Sequence, residues 1–449
     1  MASAGEAPAR ALAARVLGRV WGSDAFAAAA LDAELRRASG LDPRDAGLAT
    51  ELVYGVLRAQ PFLEERIAEL AVSRRWAGDP VVRAHLLMGA YSLLFLDRIP
   101  TFAAVSEAVA AIHAASDARV AAFANAVLRR MAGEVRAPGH APPAMTAAVV
   151  ASAPGWLRGA LRRSLGRAGA EAFLAAGPVP PPGGLCLAPG EHRDAWMETL
   201  RAAAPGAEIE AGRASPRAIL VRGAGDVRRL PGFGAAWINQ EEGAQVVALA
   251  LGARPGERVL DACAGRGNKS WLLAREVSPG GAVEAADLFP AKLEHAAATG
   301  AQATYAVDWT AGGGDVPEGY DRVLVDAPCS GIGTLRRRPE IALRREATDV
   351  GPLADLQVAI TRGAATRVRD GGRLVLAVCS VLREEAEAVV DRLTAAAPAG
   401  DAAPRVTLEP APFDAEIARE LSGGAASMRL LPHMHGTDGY FAAMFVVRR

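Results

Sequence analysis

A chain of 449 residues, 51% hydrophobic and 22% charged, is long enough for two or three globular domains, each with its own core. Fifty basic residues balance fifty acidic ones, which argues against a uniformly basic surface but not against nucleic acid, because charge can be segregated between domains. No run approaches about 18 uninterrupted apolar residues, and the four cysteines show neither a CxxC pair nor His/Cys ligand spacing, so no membrane span, metal site or disulfide framework is expected.

The first residues, Glu6 among them, lack the apolar core and cleavage site of a signal peptide, so a soluble cytoplasmic protein is expected. From Ala7 to about Arg136 apolar residues recur at three and four positions, as in Leu48, Leu52, Val53, Val56 and Leu57, which predicts an all-helical domain over 1–140. Gly40-Leu41-Asp42-Pro43 and Arg98-Ile99-Pro100-Thr101 mark helix ends, and Ala137 to Pro143 reads as a linker. A bridging segment over 141–233 follows. It holds a helical stretch over 144–177, a break at Pro178 to Gly184, and a small αβ layer made of Leu185-Cys186-Leu187, a helix from Asp194 to Ala203 and Ala218-Ile219-Leu220-Val221. Residues 141–235 carry 11 arginines against 7 acids, whereas 1–140 carry 16 against 15 and the remainder 23 basic against 28 acidic, so the bridge is the basic part.

Over 234–449 strands alternate with helices: Arg258 to Leu260, Ala282 to Ala286, Ala303 to Val307, Arg322 to Val325, Arg373 to Val378 and Tyr440 to Val447. This pattern predicts a doubly wound α/β domain, with the last run an antiparallel edge strand after the turn at Gly436 to Gly439. The first strand ends in Asp261 and opens into Ala262-Cys263-Ala264-Gly265-Arg266-Gly267-Asn268-Lys269-Ser270, with a helix expected from about Trp271. Glycines there let the backbone approach a ligand, and a helix amino terminus adds unpaired N–H groups. Asp287 and Asp308 end the next two strands, placed to accept hydrogen bonds from the ribose and the adenine amino group of a nucleoside.

Two cysteine motifs, Pro328-Cys329-Ser330 and Val378-Cys379-Ser380, each close a strand-like run, and Asp326 lies three residues before Cys329. Two thiols at the carboxyl edge of a parallel sheet suggest covalent catalysis on an electrophilic ring. Carbon 5 of cytosine is such a case, because it becomes nucleophilic only after a thiolate adds to carbon 6; a nearby carboxyl group would stabilise charge developing at ring nitrogen 3.

The run Asp326-Ala327-Pro328-Cys329-Ser330-Gly331-Ile332-Gly333, followed by Arg336-Arg337-Arg338-Pro339-Glu340-Ile341 and then Cys379-Ser380 with Glu384-Glu385, resembles the RNA 5-methylcytosine methyltransferases of the Nol/Nop/Sun family. The resemblance extends to Asp261-Ala262-Cys263-Ala264, Ile238-Asn239-Gln240-Glu241 and Gly439-Tyr440-Phe441. In the amino-terminal domain, Glu51 to Arg58, Gly89 to Pro100 and Asn125 to Arg130 look like a NusB-type RNA-binding domain. The combination implies a multidomain chain, with an all-α NusB-like domain, an α/β bridge and a Rossmann-like class I methyltransferase domain. By resemblance it acts as a monomer on RNA, with 16S rRNA as the substrate.

The resemblance implies Cys379 as nucleophile, Cys329 as the thiol that assists elimination, and Asp326 in contact with the base or the methyl-donor region. An arrangement like that of the DNA enzymes would instead use Cys329 as nucleophile. It also implies S-adenosylmethionine held by Cys263, Ala264, Gly265, Arg266, Gly267, Asn268, Lys269, Asp287, Asp308 and Asp326. The sequence departs from the family's Ala-Pro-Gly-Gly-Lys-Thr loop, so Asn268 is expected to take a left-handed backbone conformation in place of a glycine. Val378 stands where a threonine commonly precedes the nucleophile. Arg336 to Arg338 are expected on phosphate, and Cys186 as a small buried residue. Two other classes account for part of the pattern. A nicotinamide-dependent oxidoreductase explains the glycine turn and Asp287 but not the thiol pair, and an RNA-binding assembly factor with a decayed methyltransferase domain explains the altered loop.

Overall fold

The computed structural model describes residues 8–449 apart from 24, 39, 72–74, 138–143 and 396–405, so the expected linker lies outside the described residues except for Ala137. The chain divides into two compact units. The first comprises the described residues of Met1–Arg158 with Glu171–Pro180 and Leu335–Arg344. Its main helices are α1 (Pro8–Gly22), α2 (Ala27–Arg37), α3 (Pro43–Leu70), α4 (Pro80–Phe95), α5 (Thr101–Ala115) and α6 (Ala118–Val135).

Three of these helices begin where an aspartate can take up orphan backbone donors. Asp42 accepts from the Arg44 N–H at 2.7 Å, Asp79 from Val81 and Val82, and Asp117 from Arg119 and Val120. Pro43 and Pro80 add a pre-set φ at the first helical position. Helix α4 is apolar on nearly every face, and Val82, Ala84, Leu86, Leu87, Ala90 and Leu93 are buried among α1, α3, α5 and α6.

The helix α2 is different, because its N-cap, Phe26, has no side-chain acceptor. The acceptor comes from Leu335–Arg344: Glu340 Oε1 takes the Ala27 N–H at 2.9 Å. Arg344 donates to the carbonyls of Val20 and Ala25 at 2.7 and 2.6 Å, at the carboxyl end of α1 and the turn after it. One distant segment therefore caps the α1–α2 corner from both sides. This departs from the expectation for the first arginine of the run: Arg336 is only 7% exposed, and its carbonyl accepts from Arg58 at 3.0 Å. Glu340 and Ile341, just past the run, are buried as well. Arg338 remains exposed, over the Phe26 ring at 5.2 Å.

The second unit, Gly159–Ala170 with Pro181–Thr334 and Arg345–Arg449, holds two sheets. The smaller is antiparallel, built from β1 (Gly183–Leu187), β2 (Glu208–Ala211), β3 (Ala218–Arg222) and β4 (Trp237–Asn239) in the order β2-β3-β1-β4. Strand β4 lies past the expected boundary at 233 and still completes this sheet by pairing with β1. The larger sheet contains β5 (Arg258–Asp261), β6 (Ala282–Asp287), β7 (Ala303–Ala306), β8 (Tyr320–Asp326), β9 (Val368–Val378), β10 (Thr407–Pro410), β11 (Ser427–Leu430) and β12 (Tyr440–Arg448). Its order is β7-β6-β5-β8-β9-β12, with β5 to β9 parallel and β12 antiparallel to β9.

Strand β12 is antiparallel as expected, but it is not an edge. Ser427–Leu430 covers one half of its outer side and Thr407–Pro410 the other. Those strands are four residues each, one closed by a proline, too short to show alternation in the sequence. Every residue from Tyr440 to Val447 is buried, as an interior strand requires. Because β5 to β9 run parallel, Asp261, Asp287, Asp326 and Val378 all end on one sheet edge, the one at which ligands collect. Among the described residues no helix is long and apolar enough to cross a membrane.

Candidate active site

The turn after β5 leads into α7 (Asn268–Glu276), which starts three residues before the expected position. Gly265 and Gly267 take positive φ, +56° and +81°, and no described non-glycine residue does. Asn268 is therefore not left-handed. It is the first helical residue, and Gly267 makes the turn, where a Cβ would lie 2.6 Å from the Cα of Ala296.

Asp261, at the end of β5, is buried and accepts from the Ser270 hydroxyl at 2.7 Å, which fixes the first turn of α7. Its other oxygen has no partner among the described residues, and burial pushes its carboxyl up to about 6. Asp287 accepts from the Gly265 N–H and the Phe289 N–H, each at 2.9 Å, with the Lys292 ammonium 3.5 Å away. Beside it Leu288 and Phe289 are 56% and 54% exposed. A carboxylate held at a glycine turn and flanked by open apolar side chains fits a nucleoside, with hydroxyls toward Asp287 and a ring face toward the apolar pair. Asp308, past β7, is exposed and caps a short turn, accepting from the Thr310 N–H and hydroxyl at 2.9 and 2.7 Å.

Lys269, one of only two lysines in the chain, turns to Asp326 at the end of β8, with Nζ to Oδ2 2.5 Å. Burial disfavours the ammonium, but the carboxylates of Asp326 and Asp261 outweigh it and hold Lys269 above its ordinary value. The structure thus joins the glycine turn after β5 to the Asp326 strand end.

Cys329 follows β8 and Cys379 follows β9, adjacent parallel strands, and their Sγ atoms are 3.3 Å apart. Both cysteines are free, at a separation well beyond the roughly 2.05 Å of a disulfide. The Cys379 thiol beside it, with burial, raises Cys329 well above the ordinary thiol value, so Cys329 keeps its proton. The loops are locked by backbone. The Gly333 N–H donates to the Cys379 carbonyl at 3.0 Å, and the Gly439 N–H to the Gly333 carbonyl at 2.8 Å. A Cβ on Gly333 would sit 2.0 Å from the Gly439 oxygen, which explains a glycine in each motif.

Sequence reasoning missed the carboxylate beneath the thiols. Glu385, fully buried, accepts from the Ser330 N–H at 2.6 Å and from the hydroxyls of Ser330 and Ser380 at 2.5 and 2.6 Å. Gln357 reaches the same carboxylate at 3.4 Å and the Pro328 carbonyl at 3.1 Å. Glu384-Glu385 was visible in the resemblance, but nothing local distinguishes the buried acid from its neighbour. Of the other cysteines, Cys186 packs with Ala188, Ala248, Trp271 and Leu272, and burial pushes its thiol up to about 12. Burial likewise raises the Cys263 thiol in the glycine turn after β5.

Comparison with known proteins matches residues 248–446 to the family described as "16S rRNA methyltransferase RsmB/F" and residues 7–133 to the "NusB family". The chain is 34% identical to the ribosomal RNA small subunit methyltransferase B of Pseudomonas putida, over 87% of this chain and 89% of that protein. It is 36% identical to a protein of Mycobacterium tuberculosis described as a methyltransferase, over 97% of this chain and 96% of that one. In fold it is similar to the crystal structure of PH0851, with a TM-score of 0.77 at 21% identity over 99% of both chains. It is also similar to NSun6 from Pyrococcus horikoshii, with a TM-score of 0.52 at 17% identity, over 65% of this chain and 98% of that one.

Proposed function

The chain belongs to the RsmB/F family of 16S rRNA methyltransferases, and on that premise we propose that it methylates carbon 5 of a cytosine in 16S rRNA through a covalent adduct of Cys379 with carbon 6. The family's donor, S-adenosylmethionine, supplies when bound a methyl group on a sulfonium centre. The observation that carries the reading is the pair of thiols in contact at the ends of adjacent strands, next to Asp326.

In this reading Cys379 Sγ forms a bond to carbon 6, and the displaced electron pair makes carbon 5 nucleophilic. Asp326, held by Lys269, contacts the base or the methyl-donor region. Release requires loss of the carbon 5 proton and scission of the S–C6 bond, which restores the aromatic ring. The resting state of Cys329 suits that order of events. The largest cause of its raised pKa is the Cys379 side chain, and once that sulfur is a thioether the cause is gone, so Cys329 releases its own proton to solvent more readily and the thiolate left behind can take the carbon 5 proton. The cofactor is assigned to Cys263, Ala264, Gly265, Arg266, Gly267, Asn268 and Lys269 along the turn, and to Asp287, Asp308 and Asp326 at the strand ends. The same reading has the chain working as a monomer in the cytoplasm, with RNA as its partner.

Bisulfite mapping of 16S rRNA after incubation with the purified protein and methyl donor tests this reading. One cytosine newly resistant to deamination is the expected result; methyl incorporation without a resistant cytosine would refute carbon 5 as the acceptor.

A further inference from the structure

We infer that Glu385 is the positioning residue that sets the thiol pair, by gripping the residue that follows each cysteine; the inference rests on the two-thiol reading above. A fully buried carboxylate is costly unless its lone pairs are filled, and here both oxygens are filled from the two cysteine motifs and the helix beside them. Oε1 takes the Ser330 N–H and the Gln357 amide, and Oε2 takes the Ser330 and Ser380 hydroxyls. Each serine oxygen in turn accepts a backbone N–H from two residues on, Ile332 at 3.4 Å and Leu382 at 3.3 Å. Gln357 closes the ring by donating to the carbonyl of Pro328.

One side chain therefore fixes the backbone on the far side of both Cys329 and Cys379, and each thiol is left with its own side-chain rotation alone. The backbone bond from Gly333 to Cys379 is the other tie between the two loops, and the carboxylate adds a second one at the serines. An apolar residue of similar size could fill the space but could not hold two hydroxyls and an amide in fixed directions. None of the hydrogen bonds of Glu385 is with a cysteine sulfur, so it positions the thiols through the serines, while its charge adds to the causes that raise Cys329.

The test uses the whole protein with phenylarsine oxide, a trivalent arsenical that bonds two neighbouring thiols at once and releases one water. Wild-type protein should take up one arsenical bridging Cys329 and Cys379, located by peptide mass. Glu385→Gln keeps the volume but turns an amide donor toward other donors, and Ser380→Ala cuts only the link on the Cys379 side. Both should bind the arsenical about 10-fold more weakly, and misplaced thiols should lower kcat by about 100-fold for Glu385→Gln, with KM for RNA unchanged. If Glu385→Gln does not fold, Ser380→Ala decides alone. Variants that bind the arsenical and turn over as wild type does would overturn the inference, as would a wild type that binds none. Loss of arsenical binding in the variants, alongside a wild type that does not methylate carbon 5, would keep the clamp and reject the proposed reaction.

Discussion

At the scale of single residues, the described acids at the sheet edge have unlike roles although the sequence presents them alike. Asp287 is held by two backbone N–H groups beside open apolar side chains, Asp326 is paired with a lysine, and Asp308 is an exposed cap. Asp261 is sealed away with one oxygen unpartnered, and burial pushes it up to about 6. Its value in the unfolded chain is about 4, so folding favours the protonated form. That contribution is fully present below about pH 4 and is lost as pH rises through about 6, a cost of about 3 kcal/mol at neutral pH. Asp261→Asn can still accept from Ser270 and cannot ionise, so its stability relative to wild type should rise between pH 4 and pH 7 in urea unfolding. A difference constant across that range would contradict this account. The meeting of Cys329 and Cys379 was legible because each closes a strand-like run with its own short motif. Glu385 was not, because its partners are 55, 28 and 5 residues away and only the fold brings them together.

At the scale of elements, local signals worked where an element carries its own ends. Asp42-Pro43 and Pro100-Thr101 start helices in the structure as in the sequence, and the strands ending at Asp261, Asp287 and Val378 stand where alternation placed them. They failed where an element borrows its ends. The amino terminus of α2 is capped from more than 300 residues away, by Glu340, so nothing local marks that acid as a cap, and the arginines before it read as phosphate contacts. Glu340→Ala leaves the Ala27 N–H without its acceptor and should cost about 1–2 kcal/mol, seen as a lower urea midpoint and faster amide exchange at the start of α2. Unchanged exchange there would show that the cap is dispensable. Strands β10 and β11 were illegible for a different reason: each is stabilised by pairing with a long interior strand and not by a pattern of its own.

At the scale of the whole molecule, the change of period near residue 234 marks where strands and helices begin to alternate, but it is not where the two units divide: residues 181–233 belong with the α/β part, and Leu335–Arg344 belongs with the helical unit, neither of which was legible. Net charge is zero, so association with RNA depends on local basic surface, of which the bridge has the most by sequence. The central claim is narrower: addition and elimination are divided between two thiols in contact. Cys379→Ala removes the bond-forming sulfur, and Cys329→Ala removes the group assigned to release, so the two should fail at different steps. A denaturing gel of each variant with target RNA and methyl donor separates free from attached protein. The expected result is a persistent protein–RNA complex for Cys329→Ala and none for Cys379→Ala; a complex for Cys379→Ala and none for Cys329→Ala would contradict the assignment.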